Sequence, residues 1–125
     1  MEEIIALVWQ HGFSDEDREA LENFKSRDGF ELISDQDLKG MLAFFKQYPD
    51  DFEDLIPIMT DNNSNYICVY FQGQHFGKVC YLSHDEMDLT PFFSSIRVLV
   101  EVINRYPEAW DFPEIPADAY DISTK

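Results

Sequence analysis

Residues 66–82, YICVYFQGQHFGKVCYL, hold two runs rich in β-branched and aromatic residues on either side of a Gly-bearing turn. That pattern folds the chain back on itself as an antiparallel hairpin. Paired symmetrically about Gln74, the runs set Ile67 opposite Tyr81 and Val69 opposite Val79 on one apolar face. Cys68 then faces Cys80 on the other side, because side chains alternate along a strand. A lone hairpin is marginal in water and needs a cover. One follows in the sequence. Thr90-Pro91 supplies a cap and a first-turn proline, and Phe92, Ile96, Leu99, Ile103 and Tyr106 recur on one side of a helix, with Phe93 and Val100 beside them. The pattern predicts a helix from about Pro91 to Tyr106 lying on the hairpin. The expected fold class is therefore α+β, a single domain of mainly antiparallel sheet with helices packed on one face.

The rest of the chain fits this plan. Ser34 caps a second helix in which Leu38, Met41, Leu42, Phe45 and Tyr48 recur at helical spacing, and Pro49-Asp50-Asp51 stops it. Phe30 to Ile33 reads as a short strand, and Leu55-Ile56-Pro57-Ile58 opens another extended stretch. Asp61-Asn62-Asn63-Ser64-Asn65 has turn chemistry. Ser14 before Asp15, Glu16 and Asp17 predicts a surface helix with Ala20, Leu21 and Phe24 as its apolar face. Residues 4 to 9 suit either a short strand or a helical turn. The domain is expected over residues 1–106. Residues 107–125 form an acidic, Pro- and aromatic-rich segment that either docks Trp110 and Phe112 or hangs as a tail.

Charge narrows the partners. Against 25 acids stand 9 bases, a formal net charge of −16. The bases make no stripe, so direct binding to nucleic acid or to an anionic membrane is not expected. Such a field speeds encounter with a basic protein, or simply keeps the chain soluble. No run of the sequence directs it into a membrane: the apolar stretch Ile4 to Trp9 is short and follows acids, which suits cytoplasmic residence.

Catalytic chemistry finds little footing. His84-Asp85-Glu86 with Asp88 is the densest polar cluster, but neighbouring residues on an extended chain diverge, and a metal needs ligands that converge. The chain has no HExxH helix, nucleophile elbow or Gly-rich phosphate loop. Neither an enzyme nor a cofactor or metal site is expected. Cys68 and Cys80 are too few for a disulfide framework and suit small buried hydrophobes better than a functional thiol pair.

The order of these segments resembles the SUKH superfamily, the Smi/Knr-type domain. The likeness rests on Ile56-Pro57-Ile58, the turn Asp61 to Asn65, the strand Asn65-Tyr66-Ile67-Cys68, Gly77-Lys78-Val79, and His84-Asp85-Glu86 before a C-terminal helix. It covers roughly residues 28 to 104. The turn carries Asn62-Asn63-Ser64 where such domains often have glycines, a change that Asn tolerates. The resemblance implies a non-catalytic binding protein: an immunity protein that neutralises a polymorphic toxin, or else an intracellular regulatory or scaffold domain. Acidity favours a basic, nuclease-type toxin, whose phosphate-gripping surface an acidic inhibitor can occupy. The candidate contacts are Asp50, Asp51, Glu53 and Asp54, and Asp85, Glu86 and Asp88, all expected in loops.

Overall fold

Leu55–Thr60 has no charged residue and no polar one before its last position, so a strand of this composition needs cover on both faces. The computed structural model describes residues 3–27, 29–61, 65–83, 89–109 and 112–121, without the side chains of residues 113 and 117. It places Leu55–Thr60 as strand β2, numbered after the short β1 (Glu31–Leu32), and buries all six positions. β2 pairs with β1 on one side and β3 (Tyr66–Tyr70) on the other, and β3 pairs with β4 (Val79–Leu82). The result is a four-stranded antiparallel sheet in chain order within a single α+β domain. The hairpin register is the expected one: Ile67 opposite Tyr81, Cys68 opposite Cys80, Val69 opposite Val79.

Between Pro57 and Met59 the β2–β3 register slips. Proline cannot donate to a ladder and belongs at an edge or a bulge. Pro57 has both: it precedes the bulged Ile58, and the pairing with β1 reaches only to Ile58, whose carbonyl accepts from Ile33 N–H at 3.0 Å. Ile58 and Met59 both join the main core. The bulge thereby adds one side chain to the buried face.

That core lies between the sheet and four helices. Residues 4 to 9 fall in helix α1 (Glu3–Gln10), which buries Ile4, Ile5 and Val8. In α2 (Asp15–Glu22) the Ser14 hydroxyl accepts from Asp17 N–H at 3.2 Å, as its position predicts, and Leu21 is fully buried. α3 (Asp35–Gln47) is capped in the same way by Ser34. After the single-turn α4 (Pro49–Phe52), the last helix is α5 (Ile96–Arg105). Its Leu99 and Ile103 are 0% exposed and share one cluster with Ile67, Val69 and Val79, so it covers the hairpin as expected.

Two expectations need correction. The helix does not begin at Pro91. Val79 N–H donates to Phe93 C=O at 2.9 Å and Phe92 N–H to Val79 C=O at 2.8 Å, so residues 92–93 run as an extended bridge along β4. The cap falls instead on Ser95, whose hydroxyl accepts from Val98 N–H at 3.2 Å. A strand edge with unmet backbone groups outbid a marginal first helical turn. Nor is apolar packing confined to one face of the sheet. Phe45 of α3 and Phe52 of α4 pack with Leu55, Cys68, Cys80 and Leu82 as a second cluster on the reverse side. This is the cover that β2 required.

Helix α5 is held at both ends by charges from the α2–β1 region. The Asp17 carboxylate, 5% exposed, accepts from Arg97 N–H at 2.9 Å in the first turn. The Arg27 guanidinium donates to the carbonyls of Ile103 (3.1 Å), Tyr106 (2.9 Å), Pro107 (2.6 Å) and Ala109 (3.2 Å) at the other end. An acid at the positive end and a base at the negative end complement the helix dipole. Past α5, Phe112 stacks on Tyr81 with centroids 4.6 Å apart, Ile115 is buried, and the Asp121 carboxylate accepts from Ser94 N–H at 2.8 Å. Of the two readings of the C-terminal segment, docking holds for Phe112; Trp110 lies outside the described residues.

Candidate partner-binding surface

Helix α3 has two aromatic sides. Leu38 and Phe45 point inward, seven residues and two turns apart, and Met41 and Leu42 pack partly against the core. Phe44, one position off that stripe, is 41% exposed, and Tyr48, four residues on, is 49% exposed. Their rings lie 5.2 Å apart. The helical spacing had assigned Tyr48 to the inner stripe. It turns outward because the helix ends at Gln47 and Tyr48 takes φ −132°, ψ 61°, off the helical path.

The next residues build an acidic crest. Pro49 starts α4, and Asp50 and Asp51 sit exposed in its only turn, where Asp51 N–H bonds Tyr48 C=O at 3.1 Å. This part of the segment is a helical turn rather than the expected loop. Phe52 buries its ring, 4.6 Å from Phe45 and 5.6 Å from Phe44, and so fixes the turn against α3. Glu53 is exposed; Asp54 is not free. Its Oδ1 accepts from Gln72 Nε2 at 2.9 Å and its C=O from Phe71 N–H at 2.8 Å, which ties the end of the crest to the hairpin turn. Asp54 therefore holds structure, while Asp50, Asp51 and Glu53 present carboxylates without an ion-pair partner among the described residues.

Beside this crest, α1, α3 and α4 leave a cleft of about 390 Å³ over the end of the sheet. Leu7, Leu42, Phe45, Phe52 and Phe71 give it apolar walls. Its polar lining comes from His11, Lys46 and Glu53, and the His11 ring lies 4.7 Å from that of Phe71. Neither the cleft nor the Phe44–Tyr48 pair was read from the sequence. Phe44 carried a usable signal, an aromatic displaced from the core stripe; the cleft arises from three segments distant in sequence and carried none.

The second expected cluster, Asp85, Glu86 and Asp88, lies outside the described residues, as does His84. Leu89, which follows it, accepts through its carbonyl from the Tyr70 hydroxyl at 2.8 Å. Among the described residues no group of three or more His, Cys, Asp or Glu is placed to hold a metal ion. Nor is any helix among them long and apolar enough to cross a membrane.

The cysteines are buried and face each other across β3 and β4. Val79 turns both backbone groups toward Phe93, so Val69–Val79 is a non-hydrogen-bonded pair and Cys68–Cys80 the hydrogen-bonded one, with Cα atoms about 5.5 Å apart. Burial pushes the Cys68 thiol well above its ordinary pKa, and the Cys80 thiol adds to the shift. Little thiolate forms, and these side chains act as small hydrophobes.

Three of the nine basic residues are committed elsewhere. Arg18 pairs with Asp15, Arg97 with Glu101, and Arg27 with the end of α5. The exposed rings of Phe44 and Tyr48 stand beside the acidic turn of α4, and Phe52 and Glu53 line the apolar cleft. No family model, no curated protein and no solved structure matches the chain.

Proposed function

We propose that this chain is a non-catalytic protein-binding module of the SUKH type, an immunity protein whose partner is a basic, nuclease-type toxin domain. The observation that carries the reading is the exposed α4 crest, where Asp50, Asp51 and Glu53 stand beside the exposed rings of Phe44 and Tyr48. Aromatic side chains are the commonest anchors of protein interfaces, and carboxylates beside them set the sign of the partner. The net charge of −16 extends that field over the molecule and speeds encounter with a cation-rich surface. Carboxylates spaced along a turn also offer oxygen acceptors to Lys and Arg side chains that otherwise grip phosphate.

The test is to sequence the neighbouring genes for a basic toxin-type domain and to co-express that domain with this chain. The reading predicts survival of the host and recovery of a stoichiometric complex in which the toxin's nuclease activity is lost. A neighbouring basic toxin that kills despite this protein, and does not bind it in purified form, would contradict the proposal.

A further inference from the structure

Four large hydrophobic side chains stand exposed among the described residues: Trp9, Phe44, Tyr48 and Phe76. Two are already partnered. The Arg18 guanidinium lies 4.2 Å from the centre of the Trp9 ring, and Phe76 stacks on Phe13 at 5.1 Å. Phe44 and Tyr48 have only each other and the rings beneath them. Phe52 links this pair to the cleft, since its ring contacts Phe44 and also lines the cavity. The α4 segment therefore borders both the aromatic pair and the cleft.

Resting on the protein-binding reading above, we infer that the cleft between α1 and the α3–α4 unit receives the partner's anchor: one large apolar side chain carried beside Lys or Arg residues. Size supports the occupant. A cleft of about 390 Å³ lies at the small end of the range for ligand pockets and suits a leucine, methionine or aromatic group, whereas a whole helix is wider. Charge complementarity supplies the neighbours of the anchor. Glu53 lines the cleft, and Asp50 and Asp51 stand exposed on the same turn. Lys46 and His11 line it as well, so the basic residues of the partner belong on the α4 side, away from them. Such a face joins a desolvated anchor to a charged rim, the usual anatomy of a specific interface.

The inference is tested with three peptides against the isotopically labelled protein at low salt. The first is acetyl-KKLWLKK-amide, the second replaces lysine with glutamate, and the third replaces the Leu-Trp-Leu centre with serines. The first should bind about tenfold or more tightly than the serine control, the gain expected from burying one large apolar side chain, and more tightly than the glutamate control, whose charge the α4 carboxylates repel. Its methyl shift changes should centre on Leu7, Leu42, Leu55 and Ile56. Neutralising the crest (D50N, D51N and E53Q together) should weaken the first peptide several-fold with the spectrum otherwise unchanged. Equal binding of the serine peptide overturns the cleft as an anchor site. Shift changes centred elsewhere overturn the cleft and leave the binding-module reading standing. No binding by either basic peptide overturns the inference and also the preference for a basic partner.

Discussion

Removing the Arg27 guanidinium should cost about 2–4 kcal/mol of folding free energy. Its four bonds end on carbonyls of residues 103, 106, 107 and 109, which lie in the last turn of α5 and the segment just after it. The bond to Pro107 C=O is exposed, so water replaces it and it adds little. The bonds to Ile103, Tyr106 and Ala109 are part-buried. At about 1 kcal/mol each, with something added for the helix dipole and something subtracted because they share one group, they give the stated range. Arg27→Met is the right perturbation, because it keeps the aliphatic stem against the Phe30 ring, 5.0 Å from the guanidinium carbon. Arg27→Lys should recover part of the loss, since one ammonium cannot reach four carbonyls in a planar fan. Urea unfolding provides the assay. With slopes of about 1–3 kcal/mol/M, Arg27→Met should lower the midpoint by about 1–2 M at unchanged slope. A loss under about 0.5 kcal/mol for Met, or a Lys variant equal to wild type, would refute the argument that this side chain closes α5.

Further outcomes follow from particular residues. Burial raises the Asp17 pKa above its ordinary 3.8, against the opposing effect of the Arg97 N–H bond. The unfolded chain therefore gives up this proton first, and stability falls as pH rises from near 3.8 through the folded value. Asp17→Asn keeps an oxygen for Arg97 N–H without the charge, so urea titrations at several pH values should show the variant gaining on wild type across that window. Asp17→Ala should lose about 1 kcal/mol or more at every pH. Gly73 has φ +82°, and a Cβ there would stand 3.0 Å from Asp54 Oδ2, so Gly73→Ala should cost about 1–2 kcal/mol by thermal melting. Gly40, mid-helix with open space around it, should instead gain about 0.5–1 kcal/mol as alanine. Cys68 and Cys80 should react with a thiol reagent only as fast as the domain opens, which mass spectrometry across a urea series will show; rapid labelling of the native protein would contradict their burial.

The parts of the fold legible in the sequence are those where a local pattern and the tertiary structure agree. Alternation through Tyr66–Tyr70 and Val79–Leu82 fixed the hairpin register, because a one-residue slip would turn Val69 and Val79 outward. The stripe of Leu99 and Ile103 likewise announced a buried helix. Pro91 misled, since a proline suits a first helical turn and an extended bridge equally well, and only the edge of β4 decides between them. The reverse face of the sheet was hidden because its cover, Phe45 and Phe52, comes from two short segments whose relation to Cys68 and Cys80 no local periodicity records. Of the candidate site, Asp50, Asp51 and Glu53 were found by charge alone. Charge could not separate them from Asp54, which the hairpin turn claims through Gln72 and Phe71.

Recognition through the α4 crest is tested most directly by the rate at which this protein associates with the basic toxin domain proposed as its partner, followed across ionic strength. Screening shortens from about 10 Å at 0.1 M to about 3 Å at 1 M, so steered association slows steeply over that range. The account predicts a steep fall for wild type. It predicts a slower rate and a flatter slope for the protein carrying D50N, D51N and E53Q, with its melting temperature unchanged. A wild-type rate indifferent to salt, or a neutralised crest that changes neither rate nor slope, would contradict it.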